Sequence, residues 1–139
     1  MFPKGITPEG LNEFSINTLV SHIDIEFTEV GEDYLIAKMP VSEKTKQPMG
    51  LLHGGASVAL AETLGSVAAS LIVTPKGQFA VGLEINANHI KSAREGYVYG
   101  KATPLHVGRS THLWEIRITN EAGDLVAISK ITMAILDKK

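Results

Sequence analysis

From Gly54 to Val73 the chain offers twenty residues drawn almost entirely from Ala, Gly, Ser, Val, Leu, Ile and Thr, with a single charge among them, Glu62. A helix that is apolar nearly all round cannot face water and has to be wrapped by other elements. A carboxylate within it must be partnered, shifted in pKa or used. The segment therefore sets two expectations: a fold built around one central helix, with the rest of the chain arranged to bury Glu62, and a functional role for that acid. Leu51 to Val73 is also long enough to span a bilayer, but an acid near the centre of a Gly-, Ala- and Ser-rich run is costly in lipid, so no membrane span is expected.

A length of 139 residues with 44% hydrophobic content fits one domain, residues 1–139, with its own core. Net charge is −2 and no run of like charges exceeds two residues, which argues against a nucleic-acid patch or a polybasic membrane anchor. The absence of cysteine excludes disulfides, thiolate metal ligands and a cysteine nucleophile. With no apolar stretch near the N-terminus, the expected location is cytoplasmic. The five histidines are scattered and none pairs at i, i+4, so no metal site is expected, and His22 and His112 receive no role.

Thr7-Pro8-Glu9 reads as a helix start, cap then proline then acid, for a short helix over 8–16. Ile23, Ile25 and Phe27 alternate with polar residues and predict a first strand, and Leu35, Ala37, Met39 and Val41 a second, joined by the turn Gly31-Glu32-Asp33. Residues 42–50 form a loop into the long helix, and Thr74-Pro75-Lys76-Gly77 ends that helix. Strands follow over 79–91, 97–103 (ended or bent by Pro104), 111–119 and 125–136. The pattern is α+β: a curved antiparallel sheet of about six strands around one long helix. Small residues along the helix, Gly65 among them, permit close packing, and an incompletely covered sheet points to a homo-oligomer.

On a 3.6-residue helix Gly54, Gly55 and Val58 precede Glu62 on its face, and Gly65, Ser66 and Ala69 follow. The unshielded N–H groups after His53 could hold a carbonyl oxygen that gains negative charge, with Glu62 as base or nucleophile and Ser66 a turn further on. Each residue also has a plainer reading. A lone Glu in an apolar helix can be an interior salt-bridge partner, His53 a helix cap, Gln47 a surface amide and Ser66 a packing choice. The conjunction of His53-Gly54-Gly55 with Glu62 favours catalysis.

These residues carry a resemblance. Gln47-Pro48-Met49-Gly50-Leu51-Leu52-His53-Gly54-Gly55-Ala56, then Ala61-Glu62 and Gly65-Ser66, resemble the signature of hotdog-fold acyl-CoA thioesterases. The branch is the PaaI-like one, which includes the glutamate-type 4-hydroxybenzoyl-CoA, the 1,4-dihydroxy-2-naphthoyl-CoA (menaquinone biosynthesis) and the enterobactin-proofreading thioesterases. Gly82 to His89, Ser92 to Gly96 and Pro104 to Arg109 are similar too, so the likeness covers nearly the whole chain.

The resemblance implies Glu62 as catalytic carboxylate and Gly54 as the N–H that polarises the thioester carbonyl. It further implies that Gln47 and His53 orient the thioester and assist thiolate departure, and that Ser66 positions water. Substrate contacts would come from Gly82, from His89, Ile90, Lys91, Ser92 and Arg94, and from His106, Val107, Gly108, Arg109, Ser110 and Thr111. Lys91, Arg94 and Arg109 suit phosphate by their charge. The implied substrate is an acyl-CoA, of aromatic type, or an acylated carrier protein; no separate cofactor is needed, because CoA is part of the substrate. The implied assembly is a homodimer, pairing again to a homotetramer, with each site built from two chains. Two other readings stay open. A hotdog hydratase or dehydratase would change an enoyl thioester and leave the thioester bond intact; a non-catalytic acyl-CoA binding module would hold acyl-CoA without hydrolysis.

Overall fold

Thr7, Pro8 and Glu9 do start a helix. In the computed structural model, which describes residues Met1–Lys139, the Gly10 N–H donates to the Thr7 hydroxyl at 3.1 Å and helix α1 runs Pro8–Phe14. The first departure from the sequence pattern follows. Leu19–His22 forms a single helical turn, α2, and Asp24 takes a left-handed φ of 63°, so strand β1 begins only at Glu26 and runs Glu26–Val30. Ile23 and Ile25 are buried all the same, because alternating apolar residues can be inserted into a core from a turn as well as from a strand.

The remaining elements are β2 (Leu35–Pro40), α3 (Gly54–Val73), a 3-10 turn over Thr74–Lys76, β3 (Gln78–His89), β4 (Tyr97–Val107), β5 (Thr111–Thr119) and β6 (Leu125–Asp137). The six strands form one sheet in the order β1-β2-β4-β5-β6-β3, and every neighbouring pair is antiparallel. Pro104 does not end β4. It lies opposite Trp114, and the register slips between Pro104 and His106; a bulge lets the strand absorb a residue that has no N–H to donate and continue to Val107.

The sheet curls around α3, which by length and composition could cross a membrane but has half of its most apolar stretch buried inside the protein. Ser57, Leu60, Ala61, Leu64, Gly65, Ala68, Ala69, Ile72 and Val73 form the buried stripe at i, i+3, i+4 spacing. This is the hotdog fold. Gly65, which the helical count sets within one turn of Glu62, is part of that stripe. A Cβ there would clash with Ile131 Cγ2 on β6, so the glycine permits the helix to approach the sheet. Gly65→Ala is expected to cost about 1–3 kcal/mol through overpacking, read as a lower urea midpoint; an unchanged midpoint would show that Ile131 yields freely.

His112 on β5 is only 1% exposed, and its Nδ1 accepts the Trp114 Nε1–H at 3.3 Å, which requires a neutral ring. Burial, then the charges of Lys76 and His106, push its pKa below the usual value. The unfolded chain takes up this proton near pH 6.5 and the native ring resists it. Stability from this source is thus full above about pH 6.5 and falls as pH drops through that value, levelling off once the native ring also titrates. Chemical denaturation of wild type and His112→Gln between about pH 7 and about pH 5 checks this: the acid-side loss should shrink in the variant, and equal slopes would refute it.

Candidate active site

The loop before α3 is held by backbone bonds that fix where the helix starts. The His53 N–H donates to Thr45 O and the Leu52 N–H to Ala93 O, both at 2.8 Å. Thr45 is itself buried and donates through its hydroxyl to Pro40 O at 2.7 Å. Residues 47–51 close on themselves, Gln47 N–H to Leu51 O and Gly50 N–H to Gln47 O, with Gly50 at φ 81°. The Gln47 side-chain Oε1 accepts from the Met49 N–H, leaving its amide NH2 as the free donor.

His53 is the N-cap of α3. Its Nδ1 accepts the Gly55 N–H at 2.7 Å, so the ring's hydrogen is carried on Nε2. The Ala56 and Ser57 N–H groups both donate to His53 O. Of the four N–H groups at the helix start, only that of Gly54 has no partner, and it points out at the positive end of a twenty-residue helix. A Cβ on Gly54 would lie 3.0 Å from His89 Nε2, so this glycine also admits the His89 ring against the donor. A cavity of about 300 Å³ opens beside it, lined by Gln47, Gly54, His89, Ile90, Lys91 and Ser92 together with Ser57 and Val126. Six positions singled out from sequence thus converge. Ser57 and Val126 were missed: Ser57 stands one turn after Gly54, a spacing that could have flagged it, whereas Val126 reaches the cavity only through strand pairing.

Glu62 is the principal correction. Within one chain its side chain is exposed, not buried. Its Oε2 lies against β3, 3.0 Å from where a Gly82 Cβ would stand, so Gly82 makes room for the carboxylate. Ser66, one turn on, donates weakly to Met133 Sδ at 3.9 Å. Glu62 stands eight residues beyond Gly54, about 12 Å along the axis.

The other expected substrate contacts fall into two groups. His89 to Ser92 border the cavity at the helix start, while His106 to Thr111 form the β4–β5 hairpin, closed by Gly108 N–H to Thr111 O at 2.9 Å. Thr111 pairs with Ala134 and Ala134 with Val81, which places the hairpin at the opposite end of β3, about 25 Å from His89 at strand rise. Arg94 and Arg109 are exposed and in no ion pair. Lys91, by contrast, is bonded to Asp124 at 2.7 Å, and Lys91, with Asn120, holds that carboxyl below its usual range.

A long helix wrapped by a curved antiparallel sheet is the architecture of the hotdog thioesterases, and the acid and the unpaired N–H that this helix carries are groups chemically able to attack or activate water and to hold a developing oxyanion. The chain belongs to the thioesterase superfamily, which residues 49–127 match, and it is a thioesterase. It is 52% identical, over 98% of its length and 99% of the relative's, to the 1,4-dihydroxy-2-naphthoyl-CoA hydrolase of Escherichia coli. It is 48% identical to the proofreading thioesterase EntH of Cronobacter turicensis, over 98% of each chain. The crystal structure of a thioesterase from Haemophilus influenzae superimposes with a TM-score of 0.94 at 46% identity, covering 98% of this chain and 94% of that one.

Proposed function

We propose that this thioesterase hydrolyses an aromatic acyl-CoA, of the 1,4-dihydroxy-2-naphthoyl or hydroxybenzoyl type, to the free acid and CoA. The observation that carries the reading is the unpaired Gly54 N–H at the start of the helix that bears Glu62. The name of the relative at 52% identity supports the acyl group.

In this reading the thioester oxygen accepts from the Gly54 N–H, and the Gln47 amide and the His53 Nε2–H orient the ester and receive the departing thiolate. Glu62 either attacks the carbonyl carbon, giving a mixed anhydride that water opens, or removes a proton from the attacking water, which Ser66 positions. His89 to Ser92 line the pantetheine path. Arg94 and the hairpin His106 to Thr111, with Arg109, meet the nucleotide; Lys91 does so only by leaving Asp124.

One carbonyl cannot reach both Gly54 and Glu62 of the same helix. An oxyanion sits roughly 3 Å from its donor and the attacking atom about 3.5 Å from the carbon, against about 12 Å along the axis. We therefore assign the site to two chains. β3 is an edge strand whose Leu83 is 62% exposed, and antiparallel pairing of two β3 edges about a two-fold axis would bring one chain's Gly54 beside its partner's acid. It would bring the distant hairpin to the helix start as well. A homodimer, pairing further to a tetramer, and a cytoplasmic location belong to the same reading, and an acylated carrier protein would be an alternative substrate.

Release of free CoA from naphthoyl-, benzoyl- and aliphatic thioesters, ranked by kcat/KM, tests the assignment. Preference for the aromatic esters is expected; hydrolysis no faster than in buffer would overturn it.

A further inference from the structure

Ser57 on α3 is 2% exposed and its hydroxyl is bonded to nothing in the chain. No sealed side-chain oxygen or nitrogen of the protein lacks a partner, so this hydroxyl opens on the cavity that Ser57 helps to line. A hydroxyl inside a helix commonly turns back onto the carbonyl four residues earlier. Thr63 on the same helix does so, donating to Ala59 O at 2.7 Å. The equivalent carbonyl for Ser57 is that of His53, which already accepts the Ala56 and Ser57 N–H groups.

The walls facing this hydroxyl offer it no partner either. The Leu52 N–H donates to Ala93 O at 2.8 Å, and the Ile90 and Lys91 N–H groups both donate to Val126 O, at 2.8 and 3.2 Å. The neighbouring side chains of Leu51, Leu52, Ile90, Ala93 and Val126 are apolar. A buried hydroxyl held unpaired among them is costly, and a ligand that bonds to it removes the cost.

Two features of the cavity identify the ligand group. The hydroxyl both donates and accepts, which matches an amide, and the apolar walls suit the methylenes that flank one. Its place on the helix supplies the spacing. Ser57 follows Gly54 by three residues, about 4.5 Å along the axis, on the same helix face. In an acyl-CoA an ethylene link separates the thioester sulfur from the first amide of the arm, a comparable reach.

We propose that the Ser57 hydroxyl binds the first amide of the thiol-bearing arm while the Gly54 N–H holds the thioester oxygen, and that Ser57 thereby selects thioesters of amide-bearing thiols. The proposal rests on the thioester-hydrolysis reading of Gly54 and adds a substrate contact that sets specificity on the thiol side. The amide is unchanged in the transition state, so the contact acts on binding and not on the chemical step.

The test uses three benzoyl thioesters: benzoyl-CoA, S-benzoyl-N-acetylcysteamine, which keeps only the first amide, and S-butyl thiobenzoate, which has none. In Ser57→Ala, KM for the two amide-bearing esters is expected to rise about tenfold with kcat held, the scale of one hydrogen bond. The thermal midpoint should match wild type, because the hydroxyl has no partner in the chain to lose. Ser57→Cys, which keeps the volume and offers only a weak donor, should follow Ser57→Ala. For S-butyl thiobenzoate kcat/KM should stay within about twofold of wild type. An equal loss for all three esters, a fall in kcat in place of a rise in KM, or wild-type KM in both variants would overturn the proposal. Calorimetric titration with CoA, and with adenosine bisphosphate as its nucleotide end without the arm, separates the contact from the reading on which it rests. A loss of about tenfold in CoA affinity in Ser57→Ala, with none for the bisphosphate, supports the contact even if no benzoyl ester is hydrolysed. Equal CoA affinity in the two proteins overturns it even if hydrolysis is fast.

Discussion

Glu62→Gln is expected to lower kcat for thioester hydrolysis by roughly 10²–10⁴-fold, the usual contribution of a positioned acid–base group, and by more if the carboxylate is the nucleophile. The fold should not notice. Within the chain Glu62 is exposed and forms no ion pair, and glutamine preserves its volume against Gly82, so thermal unfolding should match wild type. In the proposed mechanism the acid acts when the carbonyl carbon is attacked rather than when the ester binds, so KM should change little. Steady-state CoA release beside a melting curve checks both halves. Retention of wild-type kcat would remove Glu62 from the mechanism, and a large loss of thermal stability would restore the alternative in which the acid is structural.

The largest effect on stability is expected at Trp114. It is fully buried at the centre of β5, lies opposite Pro104 and Ile131 in the sheet, and stacks on Phe2 with ring centroids 6.1 Å apart and planes 12° from parallel. Trp114→Ala removes that packing, opens a cavity that the surrounding strands cannot close, and deprives His112 Nδ1 of its donor. A loss of about 3–5 kcal/mol follows from the cavity alone, enough to bring a domain of this size close to unfolding. Urea denaturation measures it. Trp114→Phe should recover most of the packing but not the hydrogen bond, and equal losses in the two variants would mean that the bond, rather than the volume, is what counts.

How far these sites could be read in advance varied with the kind of signal. The helix start at Gly54 was legible because a histidine followed by two glycines and then an apolar run is a local pattern, and capping is local physics. The strands from Leu35 onward were legible for the same reason, through alternation. Two features were not. Ile23 and Ile25 alternate as a strand would, yet a helical turn and a left-handed Asp24 precede β1, because periodicity reports burial and not backbone hydrogen bonding. That Gly65 meets the sheet was not legible either, because only the approach of Ile131 shows which side of the helix faces it.

Composition and spacing by themselves therefore determined the central helix, its single acid, the strand content and the glycine-flanked start, all of which depend on residues within a few positions of one another. The tertiary structure alone decided that the Gly54 N–H is the one left unpaired, that Lys91 is already engaged by Asp124, that Glu62 rests against Gly82 at the open edge of the sheet, and that α1 stands across from α3 to form a groove. These facts depend on which distant residues meet when the sheet closes around the helix, and a carboxylate that looks buried by its neighbours in sequence is exposed or covered according to that closure.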